Sequence, residues 1–128
     1  VDFGNLSLAR AYIATCSSST RGVFAAGYNI SPLNSGSNIV DFITIPSTGN
    51  ATDFGDLTTA RRNLAGCTNR IRGTFCGGHT QPSGTGNNLN TIDFITITST
   101  GDAQDFGDLT AVRRCSNAGG SDAHGGLG

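Results

Sequence analysis

Hydrophobic and polar positions alternate most clearly in two stretches, Val40-Asp41-Phe42-Ile43-Thr44-Ile45 and Ile92-Asp93-Phe94-Ile95-Thr96-Ile97. β-Branched and aromatic residues interleaved with polar ones are the pattern of a half-buried strand, and they predict strands over 39–45 and 91–97. A Ser-Thr-Gly-Asn or Ser-Thr-Gly-Asp turn follows each, at 47–50 and 99–102. Beyond each turn a further strand is expected around Phe54 and Leu57, and around Phe106 and Leu109. Upstream, small apolar runs at 11–16 and 63–67 predict a first strand. After polar turns at 17–20 and 68–70, a second strand is predicted over 22–28 and 73–79. Gly, Ser, Asn and Pro fill 29–38 and 80–90, which are expected to be loops.

These elements recur. The triplet Asp-Phe-Gly appears at Asp2, Asp53 and Asp105, with spacings of 51 and 52. The same offset carries Arg10 onto Arg61 and Arg113, Cys16 onto Cys67, and Phe24 onto Phe75. The chain therefore divides into units 2–52 and 53–104 and a truncated unit 105–128. A four-stranded unit of this size cannot bury its apolar face alone, so neighbouring units must shelter one another. The loops 29–38 and 80–90 differ most between copies and are the expected partner-facing positions.

Composition narrows the class. All eight basic residues are Arg and all nine acidic residues are Asp, giving a formal charge of −1, and Lys, Glu, Met and Trp are absent. Losing Lys, Glu and Met argues against helices. A near-neutral chain lacks the basic surplus of a nucleic-acid binder, and no apolar run is long enough to span a bilayer. The absence of Met marks the chain as a processed product or a piece of a longer polypeptide.

Candidate chemistry is sparse. Asp-Phe-Gly is also a magnesium-binding triplet of protein kinases, but here it recurs without the other kinase motifs and reads as a strand with Phe in the core. Asp102, Asp105 and Asp108 carry oxygen ligands, yet they match no calcium loop and read as turn caps. Cys16, Cys67, Cys76 and Cys115 form no C-x-x-C pair; Cys67 and Cys76 flank one hairpin turn, where a disulfide is one option and buried thiols the other. No Glu exists to serve as an acid, so His79, His124, Tyr12 and Tyr28 do not assemble a catalytic set. Arg10, Arg61 and Arg113 are expected to pair with a repeated Asp of the neighbouring unit, among Asp41, Asp93, Asp53 and Asp105. The Arg fork suits such a pair better than Lys. Asn5, Asn29 and Asn50 lie in Asn-x-Ser/Thr sequons.

Several residues carry a resemblance. Gly77-Gly78 (Ala26-Gly27 in the first unit), the aromatic third strand, and Arg10, Arg61 and Arg113 before the first strand resemble kelch repeats over most of the chain. A kelch blade usually carries a Trp, and Phe54 and Phe106 stand in its place here. The wording of 47–67 and 72–78 is similar to repeats in large virion structural proteins of cyanophages and other marine phages. The resemblance implies an all-β fold of kelch-like four-stranded antiparallel blades, in β-propeller-type repeats. A closed propeller needs about four to eight blades, so a ring would be completed by other chains or by a longer polypeptide; a linear stack is the other arrangement.

The expected function is a non-enzymatic structural and surface-interaction protein of a virion, in a tail, fibre or decoration. Its partners are other copies of itself or neighbouring structural proteins, with no cofactor, no nucleic acid and no membrane span. The alternative is a carbohydrate-binding adhesin module at a cell surface or in an extracellular fibre, with Tyr28, Asn29, Asn34, His79, Gln81, Asn87 and Asn88 at the rim to contact glycan.

Overall fold

The computed structural model describes residues 1–31, 34–80, 87–114 and 119–121. Among these residues the chain is all-β, with no α-helix. The strands are β1 (Arg10–Ala11), β2 (Ala14–Ser17), β3 (Arg21–Ala25), β4 (Tyr28–Asn29), β5 (Ser35–Thr44), β6 (Thr52–Arg61), β7 (Ala65–Thr68), β8 (Arg72–Cys76), β9 (Leu89–Thr96), β10 (Gln104–Arg113) and β11 (Gly119–Ser121).

They form two sheets. In the first, β2, β3, β5 and β6 are successive antiparallel neighbours, and β1 and β4 extend it beside the start of β5. In the second, β7, β8, β9 and β10 repeat the antiparallel order, and β11 lies parallel to β7. Register is shared as well. Phe24 pairs with Asp41 in the first sheet and Phe75 with Asp93 in the second.

Strand bounds differ from the sequence pattern where the backbone turns left-handed. The first strand is broken at Tyr12 (φ 57°), so β1 and β2 replace one run over 11–16; Asn63 (φ 55°) delays β7 in the same way. The second strand ends early at Ala26 (φ 59°) and Gly27 (φ 106°), and its counterpart at Gly77 (φ 66°) and Gly78 (φ 97°). Positive φ places Cβ against the backbone and disrupts a regular ladder. Only Gly announces such a break in sequence; Ala26 and Tyr12 do not. Much of the expected loop 29–38 is strand, because β5 begins at Ser35.

The core lies between the sheets. Ala14, Cys16, Val23, Ala25 and Val40 of the first sheet are buried against a layer of the second that includes Phe75, Ile95 and Ile97. Burying a side chain such as Phe75 stabilises by about 1.5–3 kcal/mol. Equivalent sheets thus use opposite faces. Val23 points into the junction from the first sheet, whereas in the second it is Phe75, the counterpart of Phe24, that does so. The two first strands meet at backbone distance. A Cβ on Gly66 would collide with the Thr15 carbonyl, and one on Gly73 with Cys16 Sγ.

Candidate functional site

Three kinds of contact stand out, and the first two recur at the offset of the sequence repeat. The first is a buried ion pair. Arg10 Nη2 lies 2.6 Å from Asp41 Oδ2, and Arg61 Nη2 lies 3.2 Å from Asp93 Oδ2, with all four side chains fully buried. Hydroxyls complete both clusters. Ser7 Oγ donates to Asp41 at 2.7 Å and Thr58 Oγ1 to Asp93 at 2.7 Å, and both backbone amides add a bond at 3.2 Å. Arg10 Nη1 also donates to the carbonyls of Ala26 (3.0 Å) and Ile39 (2.6 Å), whereas Arg61 Nη2 reaches the Phe75 carbonyl at 3.0 Å. Burial pushes both guanidiniums below their ordinary pKa, and the facing carboxylates pull them back up. Arg61 is the less well satisfied, with Nε and Nη1 lacking hydrogen-bond partners.

The second contact is backbone to backbone. Gly101 N donates to the Phe54 carbonyl at 2.7 Å and Ala103 N to the Asp56 carbonyl at 2.8 Å. Gly49 N and Ala51 N make the same bonds to Phe3 and Asn5, each at 2.8 Å. The turn after the third strand therefore sits on the Phe-Gly-Asp or Phe-Gly-Asn segment that opens its own unit. Gly55 (φ +142°) is needed there, because a Cβ would stand 2.5 Å from the Gly101 carbonyl. Asp102 Oδ1 closes the contact by accepting from Asp56 N at 3.0 Å, as Asn50 Oδ1 does from Asn5 N.

The third contact alternates rings and a guanidinium. The Arg62 guanidinium stacks 4.3 Å over the Tyr28 ring, and its Nε donates to His79 Nε2 at 2.9 Å. Tyr28 and His79 occupy equivalent positions in the two units. His79 is buried, and burial, helped by Arg114 and Arg62, lowers its pKa. A lowered pKa favours the neutral ring that can accept from Arg62.

Several sequence expectations are corrected by this geometry. The repeated Arg pairs with an Asp of its own unit, Arg10 with Asp41 and Arg61 with Asp93, not with a neighbouring unit. Asp53 and Asp105 are exposed, and each accepts a bond from the amide two residues on, at Gly55 and Gly107. Arg113 is exposed and has no carboxylate partner among the described residues. Phe54 is 2% exposed but Phe106 is 56% exposed, although both pack edge-on against a ring of the preceding strand, Phe42 and Phe94, at 5.9 Å.

Of the two options for Cys67 and Cys76, the bridge is not formed, and Cys67 is an exposed rather than a buried thiol. Thr74 stands opposite Cys67, and Ala65 opposite Cys76, so the two cysteines are diagonal across the ladder. Cys16 is a buried thiol whose pKa burial raises to about 12.

Four of the proposed rim residues, Asn34, Tyr28, His79 and Asn88, are linked through Arg62, although His79 is buried. Tyr28 is covered by Arg62, His79 and Asn29 are buried, and Asn34 accepts from the Tyr28 hydroxyl at 3.3 Å. Asn88 bridges to His79, and the Asn87 carbonyl accepts from Thr80 N at 3.0 Å. Gln81, Cys115 and His124 lie outside the described residues. Among the described residues no group of three or more His, Cys, Asp or Glu could hold a metal, and no helix is long and apolar enough to cross a membrane.

Ser7, Thr58 and Arg62 had not been singled out in the sequence. The signal for the hydroxyls was present: Ser7, Thr58 and Thr110 each lie three residues before the repeated Arg. Arg62 gave a weaker signal, recurring as Arg114 but standing opposite Ala11 in the first unit. No protein-family model matches the chain, and no curated protein matches it significantly.

Proposed function

We propose that the chain is a non-enzymatic structural element that works by assembly, built from kelch-like units of the kind found in virion structural proteins. The observation that carries this reading is the recurrence of one contact set at the repeat offset. Each set joins a strand, a turn and a buried Arg–Asp pair; among the described residues the third copies, Gly107 and Arg113, meet no such turn or carboxylate. Arg10, Arg61, Asp41 and Asp93 are buried in ion pairs with each other and His79 is buried in a bond from Arg62, the use of polar side chains expected of a scaffold. The antiparallel order β2-β3-β5-β6, repeated as β7-β8-β9-β10, is the order a four-stranded blade needs.

Joining like units head to tail is a heterologous contact. It closes into a ring if the rotation per unit allows and otherwise extends as a filament. The test is the mass and symmetry of the native particle, measured by native mass spectrometry and electron microscopy. A defined multiple of this chain, or a ring or filament with its repeat, is the expected result. A folded, monodisperse monomer that turns over a substrate would overturn the reading.

A further inference from the structure

Arg62 ties the first unit to the second through side chains that a single proton can part. The backbone sets the arrangement. Ala11 lies opposite Tyr28 and Arg62 opposite His79, the same pairing at the repeat offset. Where the first unit has a methyl at this position, the second has a guanidinium long enough to span two rings. That guanidinium stands 4.3 Å over Tyr28 of the first unit, and its Nε donates to His79 Nε2 of the second at 2.9 Å. From Tyr28 the link runs on to Asn34, whose Oδ1 accepts from the hydroxyl at 3.3 Å. From His79 it runs to Asn88 through a backbone bridge. One side chain therefore connects the two segments that differ most between the units.

The hydrogen bonding of the imidazole makes this link conditional on charge. Nε2 accepts from Arg62, so the proton of the neutral ring sits on Nδ1. Nδ1 has no hydrogen-bond partner, and neither has Oδ1 of the adjoining Asn88. A further proton must go to Nε2, the basic nitrogen that remains. There it turns an acceptor into a donor, and two N–H groups face each other across 2.9 Å.

Charge points the same way. Arg62, just beyond β6, and Arg114, just beyond β10, both act on His79 as cations. Arg61 and Arg113 pass the neighbouring Gly78, the first by its Cδ and the second by a carbonyl that accepts from Gly78 N at 2.9 Å. Arg61 is paired with Asp93 and Arg10 with Asp41, and among the described residues no carboxylate lies within ion-pair distance of His79. An imidazolium at 2% exposure would stand among guanidiniums with no compensating charge. Relief comes from Arg62, which is only half-buried and can swing its head into water. The backbone bonds between Arg62 and His79, at 3.1 and 3.0 Å, do not involve the ring and stay in place.

We propose that Arg62 is a pH-sensitive clasp between the two units. Neutral His79 holds it shut over Tyr28. Protonation of His79 releases the guanidinium, uncovers the Tyr28 ring and frees the segments carrying Asn34 and Asn88 from one another, with both sheets intact. This goes beyond the assembly function and does not rest on it.

Tyr28 can report the state of the clasp. The chain has two tyrosines and no tryptophan, so Tyr12→Phe leaves Tyr28 as its only tyrosine fluorophore. Quenching by acrylamide, a neutral molecule that the changing charge does not attract, is followed from about pH 8 to about pH 5, across the ordinary histidine value near 6.5. Protein concentration is held fixed. Quenching is expected to rise in one step below that value, while circular dichroism stays that of the folded chain. With His79→Gln added, which can accept from Arg62 but takes up no proton, quenching should stay low at every pH. With Arg62→Ala added instead, it should be high at every pH. The ring protons of His79, identified in NMR spectra by their loss in His79→Gln, should titrate with the midpoint of the quenching step. The clasp is overturned by the absence of a step, by a step that survives His79→Gln, or by low quenching in Arg62→Ala. A midpoint that differs from that of the ring, or a step that coincides with loss of the β-sheet signal, overturns it equally. None of these results alters the mass or symmetry of the native particle, so the assembly function is tested separately.

Discussion

Asp93→Asn is the sharpest probe of the buried clusters. The substitution keeps the shape of the side chain and removes its charge. Arg61 would then remain fully buried, with the Phe75 carbonyl at 3.0 Å as its main acceptor and with Nε and Nη1 already lacking partners. Removing one partner of a buried pair typically costs about 3–5 kcal/mol, because the other charge is left uncompensated. The Thr58 hydroxyl bond, at 2.7 Å, would also change from charge-assisted to neutral and weaken. Asp41→Asn should cost less, because Arg10 keeps two carbonyl acceptors, at 3.0 and 2.6 Å. The assay is equilibrium denaturation in urea, read by the shift in midpoint at one fixed protein concentration. Replacing both members, as Arg61→Met with Asp93→Leu, should recover most of the loss, since a well-packed apolar pair is often as stable as the ion pair. An Asp93→Asn loss below about 1 kcal/mol, the range of exposed pairs, would refute the account of Arg61 as a desolvated charge held by Asp93.

Three further outcomes are expected. At pH 8 a thiol reagent should modify exposed Cys67 in the folded monomer but reach Cys16, whose pKa burial raises to about 12, only on unfolding; equal rates at both would contradict the packing. His79 has a folded pKa below its ordinary value of about 6.5, through burial first and then Arg114 and Arg62. Its stabilising contribution is therefore complete above that value and is lost as pH falls below it, so denaturation midpoints should drop between pH 7.5 and 5.5, and His79→Gln should flatten that slope. Gly55→Ala and Gly107→Ala impose the same backbone strain, at φ +142° and +139°, but only at Gly55 does the new Cβ meet a carbonyl. Gly55→Ala should be more destabilising by about 1–3 kcal/mol, the range for overpacking; equal midpoints would remove the case for a tight turn-on-strand contact.

Much of this architecture was legible in the chain. The alternation around Asp41 and Asp93 placed the central strands, and the offset placed Arg10 and Arg61 as a recurring pair of positions. The hydroxyls of Ser7 and Thr58 were equally periodic, but Ser and Thr are so common here that their recurrence did not stand out. The left-handed residues Tyr12 and Ala26 were not legible, because neither is a residue type that favours positive φ. The partner of each Arg was misplaced for a related reason. Periodicity gives which positions are equivalent, not whether a contact closes within a unit or across to the next.

The sequence by itself determined the all-β class, the strand pattern and which residues are counterparts, because these follow from local alternation and from the repeat. Only the tertiary structure decided which counterpart is buried. Phe54 and Phe106 share their neighbours in sequence, yet one is 2% exposed and the other 56%. Cys16 and Cys67 divide in the same way, as do Ile97 and Ile45. Burial at these positions is not a property of the residue or its strand. It depends on whether another unit, some fifty residues away or on another chain, stands over that face.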